Sequence, residues 1–558
     1  QLMAQQLEVL RNGPVQTPSA GTLNSAQTAA GIPEFRIKNL DSKSPSAAPR
    51  AAEGSLSNSP VASPAQSETA APAAPALVEA KAFGPYRPVA RSADGSLTLR
   101  QQSHLARFTE RFTKRTPNSK RLAQAFRQPL ADPRSVAGFR KLWKELIYQI
   151  VVERSAGSKL WDVDGNEYID VTMGFGVNLF GHLPAFVIEA VSEQLKKGVH
   201  IGPQSPLAGE VAELIREFTG HERVTFCNTG SEAVMAALRI ARTITGRSKI
   251  VFFAGDYHGM FDEVLLRAQR VNGALRSLPI APGIPLKVGE EVLVLEYGTP
   301  EALNILRAEA QNLAAVLVEP VQSRRPELQP KEFLHELRRL TAASGSVLIF
   351  DEVITGFRVH PGGTQALFGV QADMATYGKV IGGGLPIGAL AGKAACLDAL
   401  DGGFWQFGDD SSPEADMTFF AGTFVRHPLA LAAARAVLLH LKQKGPELQA
   451  GLTRATTKMA EELNRFFEAR RLPIQVAHFG SLFRFHFPPD LQYINLLFYH
   501  VLERGIYIRE THQNCFLSTA HSEADVARVI EVIQESVAEF IDADCLPGSG
   551  AARRPATE

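Results

Sequence analysis

The sequence predicts an α/β protein with a mainly parallel central sheet flanked by helices. Two observations carry this expectation. The runs KIVFFAG (249–255), AAVLVEP (314–320) and SVLIFDEV (346–353) are β-rich and almost wholly apolar, as strands buried on both faces are. Between such runs lie helix-period stretches. In EAVMAALRIARTITG (232–246), Val234, Ala237, Leu238 and Ala241 share one face. Strands alternating with helices imply a parallel sheet.

Taken in order, residues 1–12 (QLMAQQLEVLRN) place Leu2, Leu7 and Leu10 at helical spacing and predict a short amphipathic helix. From 13 to 95 the composition turns to Ala, Pro and Ser, as in SNSPVASPAQSETAAPAAPA. Such a segment buries too little apolar surface to offset its chain entropy, so a flexible linker is expected. A docking peptide within it is the functional alternative. Order is expected from 96–97 on. Residues 97–147 read as helical and basic, and the strand–helix alternation runs from 148 to 541. From 542 to 558 the chain is again linker-like. Linkers on both sides, and a first residue that is not methionine, predict a piece excised from a longer polypeptide.

Composition narrows the function classes. Lys plus Arg equals Asp plus Glu at 58 each, so no overall charge favours nucleic acid. No run of about 18 apolar residues predicts a membrane span. Cys227, Cys396, Cys515 and Cys545 are scattered, a spacing that supports neither a disulfide framework nor a zinc site. No signal peptide follows Gln1. A reducing, cytoplasmic setting is expected.

Four segments carry chemistry. In TYGKVIGGGLPIGAL (376–390), Lys379 precedes a glycine-rich turn. A lysine in a tight, partly desolvated loop is neutral often enough to attack a carbonyl; read alone, a surface lysine is the simpler account. In VLIFDEV (347–353), Asp351 ends a buried strand, where ligands of doubly wound sheets sit. A carboxylate there needs a partner, such as a protonated pyridine nitrogen, although a lone aspartate is more simply ion-paired or capping. FCNTGSEAVMAALRIAR (226–242) runs from strand end to helix start, and backbone N–H groups at Gly230 and Ser231 suit an anion. An ordinary cap with Glu232 in the first turn fits equally well. In AGDYHGMFD (254–262), Tyr257 could stack on a planar ring, while His258 alone reads as structural.

Together these segments resemble the class III aminotransferases of pyridoxal-phosphate fold type I. So do WDVDGNEYIDVTMGFGVNLFGH (161–182), EPVQS (319–323) and FFAGTFVRHPLA (419–430). The resemblance covers roughly 150–541. It implies a domain over 96–541, with a large part at about 200–430 and a smaller α+β part from 148–199 and 431–541. Within the class, CFLSTAHSEADV (515–526) looks most like glutamate-1-semialdehyde aminomutase. The ornithine and GABA branches carry a carboxylate-binding arginine near this point, and none stands here.

The resemblance implies Lys379 as the Schiff-base lysine and Asp351 as partner of the pyridine nitrogen. It puts Val353 on one ring face and Tyr257 on the other, beside His258. Gly230 and Ser231 hold the phosphate, and Gln322 meets the ring 3-hydroxyl. Ser323 stands where relatives often have glycine, which weakens the Gln322 assignment. Thr423 reaches the phosphate from the other subunit, which implies a homodimer, with residues 200–206 (HIGPQSP) near the shared site. No metal is implied.

The flanks, with LTLRQQSHLARFTERFTKRTPNSK (97–120), look like the lead-in to aminotransferase domains of hybrid polyketide–nonribosomal peptide synthetases. Relatives there convert a carrier-bound β-ketoacyl thioester to a β-aminoacyl thioester. Glutamate or glutamine is the expected donor, with Lys379 moving the proton between substrate and cofactor. The basic stretch 106–127, with Arg107, Arg111 and Lys114, would face an acidic carrier. The competing expectations are a free-standing glutamate-1-semialdehyde aminomutase and a catalytically silent scaffold. A fused transcription regulator lacks a helix-turn-helix pattern before residue 150.

Overall fold

Parallel pairing needs strands that are apolar on both faces, and the centre of this chain supplies them. The computed structural model describes residues 97–136, 139–271, 274–489, 491, 493–509 and 514–546. The helix expected over 1–12, the linker over 13–95 and the linker beyond 546 lie outside the described residues.

Along the chain come α1 (Leu99–Arg115), α2 (Pro117–Phe126), β1 (Val152–Ala156), β2 (Lys159–Asp162), β3 (Glu167–Asp170), α3 (Ala185–Lys197) and α4 (Pro206–Thr219). The sheet-forming region follows: β4 (Arg223–Cys227), α5 (Gly230–Thr245), β5 (Lys249–Phe253), the hairpin β6 (Leu266–Val271) and β7 (Ala274–Pro279), β8 (Val292–Leu295), α6 (Pro300–Glu309), β9 (Leu313–Val318), α7 (Lys331–Ser344), β10 (Val347–Asp351), β11 (Met374–Tyr377) and β12 (Gly388–Gly392). The last part holds α8 (Pro428–Lys444), α9 (Glu447–Ala469), β13 (Gln475–Phe479), β14 (Leu482–His486), α10 (Ile494–Glu503), β15 (Ile506–Tyr507), β16 (Cys515–Phe516) and α11 (Glu523–Asp542).

The central sheet has the order β4-β12-β11-β10-β9-β5-β8. β10 pairs in parallel with both β9 and β11, and β5 with both β8 and β9. β12 runs antiparallel to β11 and β4, so β4 points the same way as the parallel strands. Every residue of β9, β10, β11 and β12 is buried. The helix expected over 232–246 is α5, whose Val234, Ala237, Leu238 and Ala241 are all buried against β11 and β12.

Early and late parts of the chain meet outside this sheet. β15 pairs in parallel with β3, Ile506 against Ile169, and completes the sheet β1-β2-β3-β15. β13, β14 and β16 form a separate antiparallel sheet. The first residues of the stretch expected as a linker from 542 are packed on the fold: Ala543 and Leu546 are buried, and the N–H groups of Cys545 and Leu546 close onto the Phe540 carbonyl.

The basic N-terminal segment is held by its apolar face. Thr98 and Gln101 make a reciprocal cap, and Leu105, Phe108 and Phe112 are buried. Phe108 stacks on His500 with centroids 3.7 Å apart. Arg111 is paired at 3.0 Å with both Glu503 and Glu539, so it is tied to the fold, whereas Arg107 and Lys114 face outward. His104, His500 and Glu539 bring potential ligand atoms within 4.8 Å of one another, but Glu539 is already engaged by Arg111 and Arg504.

Burial sets a pH dependence. Burial pulls His500 and His221 down to about 4, against the raising effects of Glu539 and Asp373 respectively. In the unfolded chain both take up protons near 6.5. The folded state therefore binds fewer protons between about pH 6.5 and 4. The stability these groups contribute is full above that window and is lost as pH falls through it, roughly 2–3 kcal/mol each. The urea midpoint should fall steeply between about pH 7 and 4; a flat midpoint would contradict this.

Candidate active site

Strands β4, β5, β9, β10 and β11 share one direction, so the loops after them open at one edge of the sheet. That is where side chains from distant parts of the chain converge in such sheets. Asn228 to Ser231 follow β4, and Ala254 to His258 follow β5. Glu319 to Gln322 follow β9, Asp351 ends β10, and Lys379 lies two residues beyond β11.

Asp351 is buried and both its oxygens are engaged, with acceptor capacity left on Oδ2. Oδ2 lies 2.8 Å from His258 Nδ1. Oδ1 accepts from the Thr376 hydroxyl and the Val353 N–H, both at 3.1 Å. His258 Nε2 lies 3.1 Å from Asp256 Oδ2. With a carboxylate on each ring nitrogen, His258 is raised to about 10, although burial opposes this. Glu319 accepts from the N–H groups of Tyr257 and Ser323. Burial, then the charge of Asp256, push its carboxyl up, which favours the neutral acid in this crowded acidic cluster.

Lys379 has φ +42, a left-handed conformation that a side chain with Cβ adopts only under constraint from its surroundings. Burial lowers its pKa, Asp351 and Glu319 oppose that, and the Arg358 charge adds to the lowering. A neutral amine is the nucleophilic form. Arg358 is itself fully buried and held by the Ser481 hydroxyl at 2.9 Å and the Gly176 carbonyl.

The start of α5 is both a cap and a vacant donor array. Thr229 caps the helix, and Glu232 reaches back to the N–H groups of Asn228 and Thr229. These bonds leave the Gly230 and Ser231 N–H groups at the positive end of the helix without a partner among the described residues. A Cβ at Gly230 would lie 2.8 Å from Val353 Cγ2, and one at Gly259 (φ +113) would collide with Ser231 Oγ. Both turns therefore need glycine, and Val353 stands directly beside the helix start.

Of the residues expected from sequence, Gly230, Ser231, Val353, Asp351, His258, Gln322 and Lys379 thus gather at one sheet edge. Tyr257 is half-exposed above His258, with Arg324 Cζ 5.9 Å from its ring centroid. Thr423 is exposed within the stretch 402–427, and its own chain supplies it with no hydrogen bond among the described residues. The same stretch bares Phe404 (82%), Phe407 (92%) and Phe419 (78%).

Sequence reasoning misses four contributors. Glu319 follows an all-apolar strand as Asp351 ends one, so the same signal could have found it. Asp256 stands two residues before His258. Arg358 and Arg484 carry no local signal. Arg484, 8% exposed, donates to Asn514 at 2.8 Å, so the sheet brings an arginine beside 515–526 although none stands there in sequence.

The arrangement fits a phosphorylated pyridine aldehyde: a helix start with unpartnered donors among the described residues, a buried carboxylate, a lysine whose pKa burial lowers and an unpartnered acceptor at Gln322 Oε1. The pattern of the family described as Aminotransferase class-III matches residues 142–535. A glutamate-1-semialdehyde 2,1-aminomutase of Desulfitobacterium hafniense is 36% identical over 413 residues, 71% of this chain and 92% of that protein. Among solved structures, a β-phenylalanine aminotransferase from Variovorax paradoxus is 29% identical with TM-score 0.67, covering 80% of this chain and 99% of the other. An omega-transaminase from Sphaerobacter thermophilus is 26% identical with TM-score 0.68, covering 75% and 97%. The chain belongs to the class III aminotransferases. It is a pyridoxal-phosphate-dependent enzyme of fold type I, in a class that is generally homodimeric. Among the described residues no helix is long and apolar enough to cross a membrane.

Proposed function

We propose that this chain transfers an amino group from glutamate or glutamine to a carrier-bound β-ketoacyl thioester, as the aminotransferase domain of a polyketide–nonribosomal peptide assembly line. The observation that carries the transamination is the meeting of Lys379, Asp351 and the Gly230–Ser231 helix start at one sheet edge. Lys379 binds the cofactor covalently, Asp351 faces its pyridine nitrogen, and Gly230 and Ser231 hold its phosphate. Val353 and Tyr257 cover the two ring faces, with His258 behind Asp351 and Gln322 at the ring hydroxyl. Pyridoxal phosphate supplies an electron sink for the charge left on the substrate carbon. Lys379, once freed, would be the base that takes the proton from that carbon and the acid that gives it back. Thr423 serves a second copy of the chain, whose docking would cover the bare aromatics between 404 and 424.

The acceptor is inferred from three supports. The 515–526 segment has no arginine of its own for a substrate carboxylate, an Ala/Pro-rich stretch precedes the domain, and the 29% identical solved relative is a β-phenylalanine aminotransferase, named for an amino acid with its amine on the β carbon. Arg324 and Arg484 are the cations at hand for the donor's carboxylate.

Mass spectrometry of a carrier-bound β-ketoacyl chain, incubated with glutamate and then glutamine, tests the proposal. A mass change from ketone to amine with at least one donor is expected, and none would refute it. The second reading, an aminomutase acting on glutamate-1-semialdehyde, is favoured by the 36% identical relative. Aminolevulinate from that substrate, with an unchanged carrier-bound ketone, would select it instead.

A further inference from the structure

Asp256 has no role in the assignments above, yet it makes more contacts in the buried cluster than its position in a turn requires. Its side chain is completely buried. Oδ2 accepts from His258 Nε2 at 3.1 Å and from the Glu319 N–H at 3.3 Å. Oδ1 accepts from Gln322 Nε2 at 2.6 Å. Two consequences follow from donor and acceptor rules.

The first concerns charge. A neutral imidazole has one N–H and one lone pair. His258 faces carboxylates at both nitrogens, so a neutral ring would turn its lone pair on one of them. With both carboxylates ionised, the ring holds both protons. Asp351, His258 and Asp256 together then carry one net negative charge, which matches a single protonated pyridine nitrogen.

The second concerns the polarity of Gln322. The amide atom facing Asp256 Oδ1 also lies 2.9 Å from the Ala254 carbonyl. Both neighbours only accept, so this atom is the NH₂ group and both its hydrogens are committed. The amide oxygen is left buried and without a partner among the described residues. It can only accept.

We infer that Asp256 is a positioning residue for the cofactor: one buried carboxylate holds the cation behind Asp351 and turns Gln322 so that it meets the cofactor's ring hydroxyl as an acceptor. This rests on the reading of the site under Proposed function. An acceptor there requires the ring oxygen to keep its proton. The holoenzyme should therefore favour the neutral-phenol form, which absorbs at shorter wavelength than the phenolate form.

The test uses the full chain freshly loaded with pyridoxal phosphate, without amino donor, at one fixed pH. The wild-type spectrum should be led by the shorter-wavelength band. Asp256→Asn, which keeps the size but not the charge, should shift intensity to the longer-wavelength band. It should also weaken binding of pyridoxamine phosphate, which has no covalent link, by roughly 10- to 100-fold. Unchanged band ratio and unchanged affinity in Asp256→Asn would overturn the inference. If that variant does not fold, a wild-type spectrum with the longer-wavelength band alone overturns it just as well. Borohydride trapping followed by peptide mapping separates the two failures. Cofactor found away from Lys379 refutes the site itself; cofactor on Lys379 with the wrong spectrum refutes only the role of Asp256.

Discussion

Lys379→Ala should bind pyridoxal phosphate without holding it covalently, and transamination should fall by roughly 10²–10⁴-fold or more. Two functions are lost at once. The amine is the lysine nitrogen that its loop offers to the sheet edge, and burial lowers its pKa, against Asp351 and Glu319 and with the Arg358 charge. In the proposed mechanism the same nitrogen is also the base that moves the proton. Folding should survive, because alanine only shortens the side chain and leaves the backbone of the turn Lys379–Gly382 in place. The residue keeps its left-handed backbone, φ +42, at a small cost for any residue with Cβ. Borohydride reduction and peptide mapping measure the covalent link, and single-turnover kinetics the rate. A variant with wild-type turnover would remove Lys379 from the site.

Asp351→Asn should lower kcat by roughly 10²–10³-fold with a smaller change in KM. Asparagine retains an acceptor for Thr376 and the Val353 N–H, but its NH₂ group then faces His258 Nδ1, which loses its acceptor. What disappears is the negative charge between His258 and the site. The His258 cation, with Asp256 on its far side, would then face the pyridine nitrogen across a neutral amide. That arrangement disfavours protonation of the ring and so weakens the stabilisation of charge on the substrate carbon, which matters in the transition state more than in binding. Steady-state kinetics with the amino donor distinguishes the cases. A rise in KM alone, with kcat intact, would mean that Asp351 only supports binding.

His258 adds a stability effect of opposite sign to His221 and His500. Its folded pKa is raised to about 10, so its contribution is full below about pH 6.5 and fades as pH rises through 10. Flanked by these opposing windows, the fold is expected to be most stable near neutral pH.

Much of this is legible in one dimension. An all-apolar run such as VLIF announces a strand buried on both faces, and the first polar residue after it stands at the functional edge. Asp351 is found that way, and Glu319 could be by the same signal; Lys379 is found instead by the glycine-rich turn that follows it. Gly230 and Ser231 are legible as a strand end meeting a helix start, although the local pattern leaves cap and anion site equally possible. The structure shows the cap, with Glu232 engaging the N–H groups of Asn228 and Thr229, and leaves those of Gly230 and Ser231 without a partner among the described residues, which is compatible with an anion there.

Lys379, then, is a property of the sequence: a lysine before a glycine-rich turn, after a buried strand, in a family-specific order of segments. Its setting belongs to the tertiary structure. The His258–Asp351 bond joins residues 93 positions apart, the Gln322–Asp256 bond 66 apart, and Arg484 reaches Asn514 only because β14 pairs with β16. Backbone periodicity records which residues are buried, because burial of apolar surface acts on each element by itself. It does not record which buried charges neutralise one another, because that depends on distances set when separate strands align.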